Sequence, residues 1–203
     1  MVNSIMNIVK LNKIKKILKD SSVGIAGAGG LGSNIAVSLA RSGIGKLVIV
    51  DFDVVDESNL NRQYYFQDQI GMKKIDALKE NLLRINPKIE IIIHDEKLEK
   101  KYMDVFFDDV DVIVEALDDA ETKTQFIEEI MTKIKDKPIV GASGVAGYGK
   151  INSISTIHNG NLHMVYDPDA ESSDDDVLLS PKVCIVANWQ SDIVLQILLD
   201  EKL

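Results

Sequence analysis

Val23-Gly24-Ile25-Ala26-Gly27-Ala28-Gly29-Gly30-Leu31-Gly32 is the stretch on which the fold of this chain turns. The run Val23 to Ala26 suits a short strand buried on both faces, and it passes directly into a glycine turn of the form G-x-G-x-x-G. Ser33 to Ser42 follows with helical spacing and stops at Gly43, and Leu47 to Val50 is a second buried strand ending at Asp51. A strand, helix and strand joined so closely predict a right-handed crossover between parallel strands. The glycines permit a tight turn and close backbone approach, and the helix start offers unpaired N–H groups and a positive dipole end to phosphate oxygens. Gly27, Gly29, Gly30 and Gly32 are therefore candidate nucleotide-binding positions. Asp51, at the end of the next strand, can accept hydrogen bonds from both hydroxyls of a ribose.

The same alternation continues outward. Ile75, Leu78, Leu82 and Ile85 recur at helical spacing ahead of Pro87, Glu90 to His94 reads as a strand, and Val110 to Val114 as another. Phe126, Ile127, Ile130, Met131 and Ile134 mark a helix, and Ile139-Val140 a short strand. Ile151 to Ile157 and Leu162 to Tyr166 flank Asn159-Gly160 and predict an antiparallel hairpin, and Ala187 to Leu198 a terminal helix. At the other end, lysines 10, 13, 15, 16 and 19 interleave with apolar residues in an N-terminal helix ending near Asp20. The expected architecture is α/β and doubly wound, Rossmann-like, with a mainly parallel sheet, a C-terminal antiparallel hairpin and a terminal helix. Residues 1–203 read as one domain: residues 1–20 as the N-terminal helix, 21–141 as the nucleotide-binding core, and 142–203 as hairpin, acidic loop and terminal helix.

Composition narrows the function. The chain has 203 residues, 45% of them apolar, and 32 acidic against 23 basic side chains give a net charge of −9. That acidic balance argues against non-specific binding to a polyphosphate backbone, where affinity comes from clustered Lys and Arg displacing counterions, so nucleic acid is not an expected partner. One cysteine, Cys184, makes neither an internal disulfide nor a Cys-rich zinc site. With no signal-like start and no segment expected to span a membrane, the reading is a cytoplasmic protein with no membrane partner.

The glycine turn and Asp51 alone would suit an NAD-dependent oxidoreductase, but the residues after Asp51 point elsewhere. Asp53, Ser58, Asn59, Asn61, Arg62 and Gln63 crowd the region beyond a strand's carboxyl end, where open α/β sheets hold ligands. Arg62 offers a planar fork and Lys74 a point charge, two cations beyond the glycine turn, which favours a triphosphate. Asp118 and Asp119 follow another strand's carboxyl end and suit a hard cation such as Mg²⁺. Asp118 is the metal candidate, and Asp119 serves equally well as a helix cap.

In order, Gly27-x-Gly29-Gly30-x-Gly32, Asp51-Phe52-Asp53, Ser58-Asn59-Leu60-Asn61-Arg62-Gln63, Gly71-x-x-Lys74 and Asp118-Asp119 resemble the ThiF, MoeB and HesA group of adenylyltransferases, relatives of ubiquitin-activating enzymes, over about residues 20–200. The short ThiF-like chains of thiamine biosynthesis resemble it best, through Glu115-Ala-Leu-Asp-Asp-Ala-Glu-Thr-Lys123. The resemblance implies ATP and Mg²⁺ as cofactors and a small ubiquitin-like sulfur carrier ending in Gly-Gly, the ThiS type, as partner. The carrier's terminal carboxylate would become an acyl-adenylate, with pyrophosphate released. Gly30 would approach the nucleotide, Asp51 hold the ribose, Asn59, Arg62 and Lys74 bind phosphates, and Asp118 orient the metal. Arg62, Lys74 and Asp118 are thus the expected catalytic groups, in a homodimer without zinc. A non-catalytic, carrier-binding member of the same group is the alternative, because Met1 to Ser22 lacks the arginine-bearing start common among relatives. Cys184 reads as a small buried core residue, His158 and His163 as ordinary hairpin residues, and residues 167–176 as a solvated acidic loop.

Overall fold

The structure, a computed structural model, describes residues 2–170 and 177–200, with the side chains of residues 2–6 outside the description. In chain order the elements are α1 (Val2–Lys19), β1 (Ser22–Ala26), α2 (Gly30–Ser42), β2 (Lys46–Val50), α3 (Lys74–Ile85), β3 (Glu90–His94), β4 (Val112–Glu115), α4 (Ala120–Lys133), β5 (Ile139–Ser143), β6 (Ser155–Asn159), β7 (Leu162–Tyr166) and α5 (Ser180–Asp200). The strands form one seven-stranded sheet in the order β3-β2-β1-β4-β5-β7-β6, parallel except for the β6–β7 hairpin. The doubly wound, mainly parallel arrangement with an antiparallel hairpin and terminal helix is thus the one the sequence pattern predicts.

The two-residue period of a strand explains how each run serves both layers. In β2, Leu47 and Ile49 pack in the core cluster that holds α2, α3 and α5, while Val48 and Val50 face the smaller cluster with Phe107 and Phe126 of the opposite layer. Phe107 and Phe126 meet edge to face, with ring centres 5.5 Å apart. The strand order reverses between β1 and β4, and their carboxyl ends open a crevice at the topological switch point.

Four local expectations change. The hairpin's first strand starts at Ser155, because Ile151–Ser153 is a 3₁₀ turn entered through Lys150 in the left-handed region at φ 48°. Helix α2 begins at Gly30, so half of the glycine turn belongs to the helix. Helix α1 forms, but its lysines are spread around it. Leu18 is buried, while Ile8, Val9 and Leu11 remain exposed. Finally, α5, with 21 residues, is long and apolar enough to cross a membrane by length and composition. Its buried residues Val183, Val186, Ala187, Ile193 and Val194 belong to the main core cluster, as expected of a core helix.

Candidate nucleotide-binding site

A cavity of about 790 Å³ occupies the crevice at the carboxyl ends of β1 and β4, a volume suited to a nucleotide. Gly27, at φ 97°, takes a conformation that a side chain would strain, and a Cβ there would lie 2.7 Å from the Ala116 carbonyl oxygen. Gly32 does not line the cavity. A Cβ on Gly32 would fall 1.9 Å from the Gly27 carbonyl oxygen, so this glycine lets α2 close against the turn rather than touching a ligand. Gly29 and Gly30 do line the cavity, and Gly29 caps α2 without any side-chain hydrogen bond, which leaves the helix N-terminus open toward the crevice.

Asp51 binds the turn as well as facing the cavity. Its Oδ2 accepts the Ala28 N–H at 2.6 Å and its Oδ1 the Asp53 N–H at 2.8 Å. Burial pushes the Asp51 carboxyl above its ordinary range against the pull of these amides and of Lys74. Tyr65, buried beneath the turn, donates its hydroxyl to the Ala28 carbonyl at 2.7 Å, and burial followed by Asp51 and Asp53 keeps that hydroxyl protonated far above neutral pH.

The phosphate candidates fall into different positions. Arg62 lines the cavity with its stem against Gly30, and its Nη1 donates to the Ser58 carbonyl at 3.0 Å and to Asn61 Oδ1 at 2.8 Å. No carboxylate among the described residues pairs with it. Lys74 also lines the cavity but is buried and ion-paired with Asp53 at 2.7 Å. Asn59 lies outside the lining. It closes the Glu57–Asn59 3₁₀ turn, where its Oδ1 accepts the Asp56 N–H at 3.1 Å. Gln63, quoted in the motif without an assigned role, lines the cavity with its Oε1 buried and unpartnered. A short polar motif does not show which of its members turns inward, so Asn59 and Gln63 exchange expected places.

Opposite, Asp118 and Asp119 both reach the cavity. Asp119 caps α4, accepting the Thr122 N–H at 2.7 Å and the Thr122 hydroxyl at 2.6 Å, and these bonds hold its carboxyl below the usual range. Asp118 is exposed to the crevice and has no hydrogen-bonding or ionic partner among the described residues, which leaves it available to a ligand. No group of three or more potential metal-binding side chains occurs among the described residues, and Asp118 is an exposed carboxylate of the lining with no partner of its own among them.

Beneath this turn lies Glu115, the last residue of β4 and fully buried, paired with Lys123 at 2.6 Å. The far side of the cavity is built by Ser143 to Ala146 and by Asp167. Asp167 was expected in a solvated loop, yet it is buried and forms a 2.7 Å ion pair with the equally buried Lys182, which also donates to the Ala146 carbonyl at 2.7 Å. Although burial pushes the Asp167 carboxyl up, Lys182, Ser153 and the Asp169 amide together hold it below its usual range. Residues 171–176 of that acidic stretch lie outside the described residues. Cys184 is half-buried rather than a core residue, with Sγ 3.5 Å from Ser180 Oγ and 3.6 Å from Asn34 Oδ1, and it does not line the cavity. His158 and His163 face each other across the hairpin with Nδ1 atoms 2.6 Å apart.

Fold and site together define a doubly wound α/β protein with its ligand cavity at the switch point. More particularly, the chain belongs to the ThiF family, whose model matches residues 3–203. It is 35% identical over 131 residues to the tRNA threonylcarbamoyladenosine dehydratase of Bacillus subtilis, covering 64% of this chain and 51% of the relative. It is 30% identical over 158 residues to the adenylyltransferase and sulfurtransferase UBA4 of Scheffersomyces stipitis, covering 77% of this chain and 35% of the relative. The chain thus spans about half or less of the length of these curated relatives. Among solved structures, the E. coli tRNA N6-threonylcarbamoyladenosine dehydratase TcdA in complex with ATP superposes with a TM-score of 0.84 at 19% identity, covering 93% of this chain and 90% of that one, a likeness of fold.

Proposed function

We propose that this protein is an ATP-dependent adenylyltransferase that converts a carboxylate into an acyl-adenylate and releases pyrophosphate. The observation that carries the reading is one cavity with an open helix N-terminus and Asp51 on one wall, Arg62 beside them, and an unengaged Asp118 opposite. In the reaction, a carboxylate oxygen attacks the α-phosphorus, the bond to the bridging oxygen of pyrophosphate breaks, and no enzyme nucleophile is required. Gly29 and Gly30 present amides to phosphate oxygens, Asp51 accepts ribose hydroxyls, and Arg62 and Lys74 stabilise charge that grows on the departing pyrophosphate. Asp51, Asp53, Glu96, Asp118, Asp119 and Asp167 outnumber Arg62, Lys74, Lys97 and Lys123 in the lining, and Asp53 already pairs with Lys74. A bare tetra-anion would meet repulsion there, which supports entry of the nucleotide with a divalent cation. Mg²⁺, when bound, would neutralise phosphate charge, with Asp118 as its protein oxygen.

The finer reading is that the carboxylate is the terminal glycine of a ubiquitin-like sulfur carrier of the ThiS type, activated by a homodimer that needs no zinc. The far wall from Ser143 to Ala146, with its small side chains, leaves room for an extended Gly-Gly tail. Likeness to tRNA threonylcarbamoyladenosine dehydratases favours a second reading, in which the carboxylate belongs to a modified tRNA. The net charge of −9 counts against a polyphosphate partner. ATP–pyrophosphate exchange measured with a Gly-Gly carrier and, separately, with threonylcarbamoylated tRNA tests both. Carrier-dependent exchange supports the first reading, tRNA-dependent formation of AMP the second, and tight NAD binding without exchange would remove both.

A further inference from the structure

We infer that Glu115 and Lys123 are positioning residues that hold the turn presenting Asp118 to the nucleotide's metal ion, an inference that rests on the reading of the cavity as a Mg·ATP site. Lys123 Nζ lies 2.7 Å from Glu115 Oε1 and 2.6 Å from Oε2, and the two residues are eight positions apart. Their contact therefore closes into a ring the segment that contains Ala116, Leu117, Asp118 and Asp119, all of which line the cavity. The same carboxylate accepts the Leu117 N–H at 2.7 Å, just before Asp118, and the Ala142 N–H on β5. Gly141 allows that approach, since a Cβ there would stand 3.2 Å from Glu115 Oε2 and 2.6 Å from the Met164 sulfur. Gln190 of α5 donates to the Glu115 carbonyl at 3.2 Å from below.

One fully buried carboxylate thus fixes three pieces of the cavity wall: the Asp118 turn, the first turn of α4 and the end of β5. Its solvation is replaced by three donors on two oxygens, the Lys123 ammonium and the Leu117 and Ala142 amides, so its geometry is closely determined. A buried ion pair is seldom retained for stability, because well-packed apolar residues of similar volume do as well. Asp118, by contrast, has no partner of its own among the described residues, and its aim depends on the backbone that carries it. Lys123 also lines the cavity, yet with its ammonium committed to Glu115 it acts on the ligand through Asp118.

The test is the affinity of a fluorescent ATP analogue with and without Mg²⁺, a readout independent of any carboxylate substrate. It is measured for the wild type, Lys123→Met, Lys123→Arg and the paired change Glu115→Gln with Lys123→Met, each checked for folding by thermal melting. The single change leaves an uncompensated buried carboxylate and is expected to melt early. The paired change removes both charges and keeps the volume, and Lys123→Arg keeps the charge if the other two fail to fold. In the folded variants with a neutral position 123, metal-free affinity stays within about threefold while the gain conferred by Mg²⁺ shrinks about tenfold, and Lys123→Arg restores part of it. A folded neutral variant that keeps the full Mg²⁺-dependent gain overturns the inference. So does an equal loss of affinity with and without Mg²⁺, which would mark a structural role alone. A wild type with no Mg²⁺-dependent gain would instead overturn the reading of the cavity itself.

Discussion

The two walls of the cavity are built on different principles. The near wall, Gly27 to Leu31 with Asp51, is mainly backbone: Gly27 has no room for a side chain, Gly32 behind it lets α2 close on the turn, and both oxygens of the Asp51 carboxylate bind amides. The far wall, Ser143 to Ala146 with Asp167, has one such close approach, at Gly144, where a Cβ would stand 2.6 Å from the Asp167 carbonyl oxygen, but it is tied besides by a side chain from another element, the buried Lys182 that binds Asp167 and the Ala146 carbonyl. The near wall can be read from short motifs, whereas a wall tied by distant charges has its residues scattered along the chain.

Substitution tests the close backbone approaches first. Gly32→Ala puts a methyl 1.9 Å from a backbone oxygen and should abolish nucleotide binding or the fold itself, whereas Gly149→Ala, outside both walls and in open space at φ 67°, should cost only about 1 kcal/mol from its backbone conformation in a thermal melt. Equal effects at the two positions would break the contrast. Lys182→Met strands the buried Asp167 carboxylate and should cost about 3–5 kcal/mol in a denaturant titration, with Asp167→Asn recovering much of it. The folded fraction should bind ATP nearly as wild type does, because the near wall is untouched. Arg62→Ala should lower kcat/KM about a hundredfold without moving the melting temperature, and Arg62→Lys should rescue poorly because a point charge does not replace a fork. At the small end, Cys184→Ser should leave exchange within about twofold, since the thiol is outside the cavity and a serine hydroxyl can bond to Asn34.

The contrast also explains what could be read in advance. Leu47 to Val50 betrays a strand covered on both faces, and the glycine turn with Asp51 locates the crevice, because those signals lie within a few consecutive residues. Arg62, Lys74 and Asp118 were legible as lining residues from the motifs around them. Asp167 was not. Its partner Lys182 stands fifteen positions away on another element, and an acidic run in a sequence looks solvated whatever crosses to meet it. Glu115 and Lys123 stand at the two ends of one legible motif, but a strand's last residue followed by a turn reads as an end, and only the fold shows that Lys123 returns to pair with it. Gln63 and Asn59 sit four positions apart in one motif, and backbone geometry alone decides that Gln63 faces the cavity while Asn59 closes a turn.

The most direct test of the account is ATP–pyrophosphate exchange by wild type and Asp118→Ala in parallel, with a Gly-Gly carrier present and metal-free ATP affinity measured on the same samples. The account predicts exchange by the wild type, a loss of about a hundredfold or more in the variant, and unchanged metal-free affinity and melting temperature, because the exposed Asp118 supports no other group. Near-normal exchange by Asp118→Ala would contradict it.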